Sequence, residues 1–595
     1  MVRLDVFMKQ TTTRTFVSHD SLHQGKLPEN SFVIVAPTAA IGATDYLLIC
    51  QVIGSAPLPK QKDLEHIAVE ITKNGGKNDA FTKIEMGWTG YRFNILGTLT
   101  LSNKTEFAGD VAGVLSPQNY NVIAPSDDVI DALLNNSQES ISLGYYRPTE
   151  TILKPNSISF SAPITDFIGK RVGVFGLTRT GKSNLVKTLA VAIDETSESE
   201  SIKIGQLLVV HDPEYDTDNI HASALSTIRK SRTFVYSLNP LPGQQPLKLN
   251  FWEDPVAALN WIKQLLEAND KTNSTYIEAF AEVTLSEIAD LSTLPRGESL
   301  RMRRKLLSFY AILHQAGFAP SSNFPISLDP GFSQALRAAA YGATTPITTI
   351  ATLDDLLKEI TTIAKFAKKV AWEHPLLTST GSGKELFDSD DKALLKFLVP
   401  KGSASGTTVL NSIRKFHDPN ANAVFDQIIE QLDDGMIVII DLSSSDDSVS
   451  FITEKVLTKV YQHQNLKLQS GTLTRDHYIS IHLEEAQNLF ASDKTLYSPI
   501  YEKLAKQGAK LLIGITYVTQ SPSSIDKTFL DQTENIFVTN LSSMDEINFL
   551  CKINSKFLPY ASAINNTKAK GYLRGITEST RFVVPFQSIK FSGGY

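Results

Sequence analysis

Arg171-Val-Gly-Val-Phe-Gly176-Leu-Thr178-Arg179-Thr180-Gly181-Lys182-Ser183-Asn184-Leu-Val-Lys-Thr-Leu-Ala190 decides the fold. A short apolar strand, Val172 to Phe175, runs into Gly176-x-x-x-x-Gly181-Lys182-Ser183, and an apolar helical pattern follows. That is a phosphate-binding loop in its required strand-to-helix context. The two glycines let backbone N–H groups turn inward around an anion, and the helix start adds the positive end of its dipole. Lys182 can reach the outer phosphates and the Ser183 hydroxyl can sit on Mg²⁺. The stretch therefore predicts ATP-type nucleotide binding by Gly176, Thr178, Arg179, Thr180, Gly181, Lys182, Ser183 and Asn184, with Mg²⁺ as companion.

At 595 residues the chain is too long for one core and predicts about three or four domains. With 42% hydrophobic and 20% charged residues it has the balance of a soluble globular protein. No apolar run reaches the roughly 18 residues of a membrane span. The polar stretch Lys9-Gln-Thr-Thr-Thr-Arg14 leaves no room for a signal-peptide core. Cys50 and Cys551 are too far apart in sequence to suggest a metal site, and so few cysteines fit a reducing compartment. The expectation is a cytoplasmic protein with no membrane partner. A formal charge of −6 neither announces nor excludes nucleic acid, since a ring-shaped motor touches its polymer with a few pore residues.

The fold class expected is α/β: a RecA-like P-loop ATPase core with an N-terminal β-barrel and an inserted helical subdomain. Residues 1–150 read as the barrel, an assembly or partner-docking module. Ser31–Ala36, Asp45–Ile53, His66–Thr72 and Tyr91–Leu101 are rich in β-branched and aromatic residues and are parted by turn signals such as Asn74-Gly-Gly76. Residues 151–251 form the first part of the core, opening with a connector over 151–168. After the P-loop helix, Asp194-Glu-Thr-Ser-Glu-Ser-Glu-Ser201 reads as a solvated loop. Strands follow at Gln206–Val210 and Thr233–Ser237. Residues 252–430 turn helical, with three-four apolar spacing in Pro255–Leu266 and Leu353–Ala367. There Arg301-Met-Arg-Arg-Lys305 is a solvated helix face or a contact for nucleic acid or a neighbouring subunit. Residues 431–595 resume the sheet at Gly435–Asp441, His477–Leu483, Lys510–Thr519 and Asn535–Thr539. Ser543-x-x-Glu546 has capping-box form, and terminal strands and a tail close the chain.

Splitting a triphosphate requires an acid for the Mg²⁺ shell and a group for the attacking water, both at strand ends beside the P-loop. Asp441 ends one apolar strand with no second acid beside it, which favours a structural role. Glu484-Glu485 ends another and supplies both groups: Glu484 for Mg²⁺ through water, Glu485 as the catalytic base. Gln520, ending the next strand, can hydrogen-bond the γ-phosphate or the water. Asp212 and Glu214 leave two readings open, assistance to the Mg²⁺ and water network or a turn with a surface pair.

Gly176-Leu-Thr-Arg-Thr-Gly-Lys-Ser-Asn184, His211-Asp-Pro-Glu-Tyr215, Leu483-Glu-Glu-Ala-Gln-Asn488 and Thr519-Gln-Ser-Pro-Ser-Ser-Ile-Asp526 together resemble the HerA ATPases of the FtsK–HerA group. They occur in that family's order, over residues of roughly 165 to 575, and the β-rich start resembles the family's barrel. The resemblance implies a homo-hexameric, ATP-driven double-stranded DNA translocase or helicase. It would act with an effector protein, a nuclease or a sirtuin-type NADase, as in relatives that serve antiphage defence. By position Lys182 and Ser183 match the nucleotide-binding residues, Glu484 and Glu485 the acidic pair, and Gln520 the sensor. One departure stands out. Family members commonly have Arg-Glu-Gly-Arg-Lys before the sensor strand, whereas this chain has Lys506-Gln-Gly-Ala509-Lys510. Alanine offers no guanidinium to a neighbour's phosphate. Lys506, Lys510, Arg475, Arg574 or Arg581 takes that part, or hydrolysis is weak. A translocating ATPase, a nucleotide-binding hexameric scaffold that activates a partner enzyme, and a secretion-type motor are the three readings. The last is disfavoured by the missing membrane segment.

Overall fold

The computed structural model of the protein describes residues 3–4, 15–20, 27–37, 46–56, 61–76, 89–100, 106–110, 120–135, 140–151, 158–200, 202–218, 223–268, 275–320, 326–342, 349–378, 386–400, 406–419, 421, 424–443, 449–489 and 499–591. The polar stretch 9–14, residues 152–157 of the connector and the tail beyond Phe591 lie outside the described residues. The chain forms two compact units. One comprises 1–233, 431–439 and 461–595, the other 234–430 and 440–460.

The first unit holds most of a large mixed sheet. Its strands run in the order Lys203–Val210, His477–Leu483, Ile513–Thr519, Arg171–Phe175, Asn535–Val538, Tyr572–Ile576, Val584–Ser588, Ser140–Tyr146, Ser159–Pro163. The first five are parallel neighbours and the remainder antiparallel. The parallel strands are continuous apolar, β-branched runs, as strands covered on both faces must be. Arg171–Phe175, Ile513–Thr519 and Asn535–Val538 are buried at every position. Ser140–Tyr146, although within the β-rich N-terminal stretch, belongs to this sheet through its pairing with Val584–Ser588.

A separate antiparallel sheet forms from the N-terminal stretch, with strands in the order Arg3–Leu4, Tyr120–Ile123, Phe32–Pro37, Tyr46–Ala56, Thr89–Thr100, Thr15–Asp20, and with Glu106–Ala108 pairing beside Thr89–Thr100. Val33, Val35, Leu48, Cys50, Val52, Tyr91, Phe93 and Val122 form its core. It is tied to the large sheet by rings and one polar residue. Phe32 stacks on Tyr146 at 5.1 Å and meets Phe582 edge-on at 5.7 Å. Gln51, fully buried, donates to Asn30 O at 3.0 Å and accepts from the Tyr560 hydroxyl.

Three local expectations need correction. His66–Thr72 lies inside a helix, Gln61–Lys73, because the segment is rich in Lys, Glu, Gln and Leu, which favour helix over strand. Exposed Ile67 and Val69 on that helix supplied the misleading β-branched signal. Asp194–Ser199 is the last part of the P-loop helix, Lys182–Ser199, not a loop. Asp194 is fully buried there between Arg229 (2.5 Å) and Arg232 (2.8 Å). Finally, Ser543 caps its helix, but Glu546 turns away to accept from Ser523, so no capping box closes.

In the second unit, Pro255–Ala268, Arg296–Gln315, Leu353–Val370 and Ser389–Leu398 are the main helices. Trp252, Trp261 and Tyr310 are buried among them, and Trp261 stacks on Phe416 at 4.9 Å. The basic cluster at 301–305 is neither a solvated face nor a free patch at its last two members. Arg304 is buried over the Phe332 ring and donates to Leu386 O, while Lys305 is buried against Asp388 (2.7 Å) and Asp390 (2.9 Å).

Replacing Gln51 by Ala should strand the buried Tyr560 hydroxyl and lower unfolding stability by about 1–3 kcal/mol. Tyr560→Phe combined with Gln51→Ala should cost less than the sum of the two, as read from urea unfolding of all four proteins.

Candidate nucleotide site

The sheet order explains why distant motifs meet. Arg171–Phe175 lies between Ile513–Thr519 and Asn535–Val538, and His477–Leu483 flanks Ile513–Thr519 on its other side. All four strands are parallel, so Gly176, Glu484, Gln520 and Thr539 leave the sheet at one carboxyl edge, where ligands of such sheets bind.

The loop over 176–181 is held open as a cradle by backbone that only particular residues permit. Gly176 has φ 152°, and a Cβ there would fall 1.8 Å from Thr539 Oγ1. Gly181, at φ 108°, lies so near Gly571 that a Cβ would approach its Cα to 2.9 Å. Gly176 N donates to Thr519 O (3.2 Å), Leu177 N to Asn540 O (2.9 Å) and Gly571 N to Thr180 O (2.8 Å). The Thr180 hydroxyl donates to Leu177 O and lies 2.7 Å from Thr539 Oγ1. Thr178 and Arg179 are exposed at the loop's crest, Arg179 with a left-handed φ of 62°. Asn184 faces the other way, donating to Ile589 O (2.6 Å) and accepting from Phe591 N (2.9 Å).

Lys182 is buried and donates to Leu177 O at 2.7 Å. Burial lowers the pKa of its ammonium, and the charges of Glu485, Glu484 and Glu214 oppose that fall, in that order. Glu484 directly follows the acid strand, and its Oε1 accepts from the Tyr215 hydroxyl at 2.8 Å. Burial pushes its pKa up to about 7; the Tyr215 hydrogen bond works against this, and the nearby Glu214, Asp212 and Glu485 charges add to it. Glu485 occupies the left-handed region at φ 47°, ψ 44°, a strained position for a residue with a side chain. Gln487 donates to Glu485 Oε2 and accepts from the Thr519 hydroxyl at 2.8 Å, bracing the acid against the neighbouring strand. Gln520 is half-buried one residue beyond Thr519, whose carbonyl holds Gly176.

The remaining candidates separate. Asp212 is exposed and caps the Pro213–Tyr215 turn, accepting from Glu214 N at 3.1 Å. Glu214 lies 3.6 Å from Lys187, which is buried and not on the surface. Asp441 is buried and accepts from Ser443 N (2.9 Å) and from the Ser237 hydroxyl (3.4 Å), a local role. Arg574 is buried and donates to Thr567 Oγ1 at 2.9 Å, which removes it from the arginines able to reach a neighbouring subunit. Arg475, Arg581, Lys506, Ala509 and Lys510 are exposed, and Lys506 pairs with Glu502. Tyr215, Lys187 and Gln487 are participants that motif reading passed over. Gln487 and Tyr215 had a signal, their places within Leu483–Asn488 and His211–Tyr215, and Lys187 had none.

Among the described residues no group of three or more His, Cys, Asp or Glu forms a metal cage. The chain's donors beside the cradle are the Ser183 hydroxyl and the carboxylates of Glu484 and Glu485. That oxygen set suits Mg²⁺, which keeps water and substrate phosphate among its ligands. A glycine cradle, a buried lysine and an acid pair at the sheet's carboxyl edge define a P-loop nucleotide-binding core.

The chain is similar to the "DNA double-strand break repair helicase HerA" of Saccharolobus solfataricus, with 24% identity over 146 residues, 24% of this chain and 29% of that protein. The protein of the same description from Sulfurisphaera tokodaii is 25% identical over 146 residues, 24% of this chain and 30% of that one. This chain thus spans about a third of the length of the curated relatives it matches. No family model matches it. Among solved structures, VirB4 of Thermoanaerobacter pseudethanolicus superposes with a TM-score of 0.37 at 11% identity, covering 76% of this chain and 97% of VirB4. The stretch that these relatives match is similar to part of a HerA-type ATPase.

Because Glu484 titrates near 7 when folded but at its ordinary 4.5 when unfolded, the folded state holds the extra proton between those values. Stability of the metal-free protein should therefore fall as pH rises from 4.5 towards 7. Glu484→Gln should remove that slope, melting above wild type at pH 8 and converging with it near pH 5, as thermal unfolding in chelator at several pH values will show.

Proposed function

We propose that the protein is an ATP-hydrolysing, hexameric double-stranded DNA translocase or helicase of HerA type. The observation that carries this reading is the buried Lys182 ammonium opposed by Glu484 and Glu485 at the edge of a glycine cradle. Backbone N–H groups of the loop and the helix start bind the phosphates of ATP, and Lys182 neutralises the outer ones. Ser183 and Glu484 hold the Mg²⁺ shell. The ion, when bound, supplies charge neutralisation across the outer phosphates. Glu485 accepts the proton of the water that attacks the γ-phosphorus, as the bond to the leaving oxygen of ADP breaks. Gln520 reads the γ-phosphate and passes its loss to the strand behind it. Gln487 keeps the Glu485 carboxylate in place through the chemistry.

The rest of the reading rests on the resemblance. The N-terminal sheet docks an effector protein, a nuclease or a sirtuin-type NADase, in a cytoplasmic antiphage system. No helix among the described residues is long and apolar enough to cross a membrane. A second reading, a nucleotide-binding scaffold that activates a partner with little translocation, is favoured by one observation. Ala509 stands where an arginine is expected, and Arg574 is sequestered.

Lys182→Ala should abolish ATP binding, measured by fluorescent-nucleotide titration. Glu485→Ala should bind ATP as wild type does but lose turnover by about 10²–10⁴-fold. Undiminished activity in that variant excludes Glu485 as the base. Duplex DNA should stimulate hydrolysis, with affinity falling steeply between about 50 and 200 mM salt. Partner activation without DNA binding or stimulation would select the scaffold.

A further inference from the structure

Tyr215 stands at the centre of a buried group that the proposed chemistry does not use. Its phenol is fully buried and donates to Glu484 Oε1 at 2.8 Å. The phenol thus holds one of the side chains assigned to the Mg²⁺ shell from a segment 269 residues away, while the other, Ser183, opens the helix that carries Lys187. The ring is itself clamped. Lys187, one helical turn beyond Ser183, is buried with its ammonium 5.2 Å from the Tyr215 ring centre, in cation–π range. The same ammonium pairs with Glu214 at 3.6 Å and lies 5.8 Å from the centre of the Phe591 ring. Glu214 belongs to the short turn that also carries Tyr215, so the lysine holds both the ring face and the turn.

We propose that Tyr215 is a positioning residue that sets Glu484 for a divalent cation shared with Ser183, with Lys187 fixing the tyrosine to the P-loop helix. The proposal rests on the assignment of Ser183 and Glu484 to the Mg²⁺ shell. A carboxylate at the end of a strand has free torsions, and two side chains that must share one ion lose affinity when either drifts. The phenol restrains the Glu484 carboxylate without ligating the ion. Lys187 makes the restraint part of the helix that the phosphates bind, so nucleotide seating and acid placement are mechanically joined. Tyr215 acts through Glu484 and is a positioning residue, not a catalytic one.

The test is a fluorescent-ATP titration of full-length protein with and without Mg²⁺, for wild type, Tyr215→Phe, Glu484→Gln and the double variant. Tyr215→Phe keeps the ring and should melt near wild type and bind ATP normally in chelator. The Mg²⁺ concentration that gives half of the metal-dependent change in ATP affinity should rise about tenfold, the cost seen when an outer-shell partner is lost. In the Glu484→Gln background, Tyr215→Phe should add nothing. Lys187→Met, which leaves the phenol intact, should shift the Mg²⁺ requirement in the same direction by less, and Lys187→Arg should restore it. An unchanged Mg²⁺ requirement in Tyr215→Phe overturns the proposal. So does an equal loss of ATP binding in chelator, which marks a purely structural role, and so does additivity in the double variant. These readouts are of binding, so absence of hydrolysis in wild type would count against the ATPase reading while leaving the tyrosine's role decided by the titration.

Discussion

The site depends on a buried ammonium. Lys182 is taken out of water at the start of a helix whose dipole already disfavours a cation there, and carboxylates offset that cost. They come from the ends of the acid strand and of Lys203–Val210, so the sheet order is what makes burial of the lysine tolerable. The arrangement is also what makes the site responsive. In the proposed function, phosphates arriving in the cradle would compete with the carboxylates for the same ammonium, and a cation would relieve the repulsion between phosphate and acid.

Much of this core is legible in the sequence, for physical reasons. Strands buried on both faces read as unbroken apolar runs, and His477–Leu483 and Thr233–Ser237 have the expected bounds. The glycines at 176 and 181 are legible because no other residue tolerates the contacts with Thr539 and Gly571. Placement of Glu484 and Gln520 near the loop follows from strand-end position. Tyr215, Lys187 and Gln487 are not legible as a group, because a tyrosine after a turn and a lysine within a helix have no spacing that joins them. Only the tertiary contact turns them into parts of the site. The acidic end of the P-loop helix was missed for a related reason, since Asp194 is made helical and buried by Arg229 and Arg232 from a later segment.

The C-terminal stretch belongs to the nucleotide site as much as the loop does. Gly571 lies against Thr180 and Gly181, and residues 589–591 close on Asn184, while Phe591 lines the pocket around Lys187. The loop is thus supported by its own stretch and by the C-terminal stretch together.

With Glu485 as the proposed base, its left-handed backbone sets folding against function at a single position. Glycine or asparagine suits φ 47° better than glutamate, so either would relax the chain while deleting the carboxylate. A library selected for thermal resistance alone would drift away from glutamate here, and one selected for nucleotide turnover would return to it. The residue present is one that the backbone disfavours.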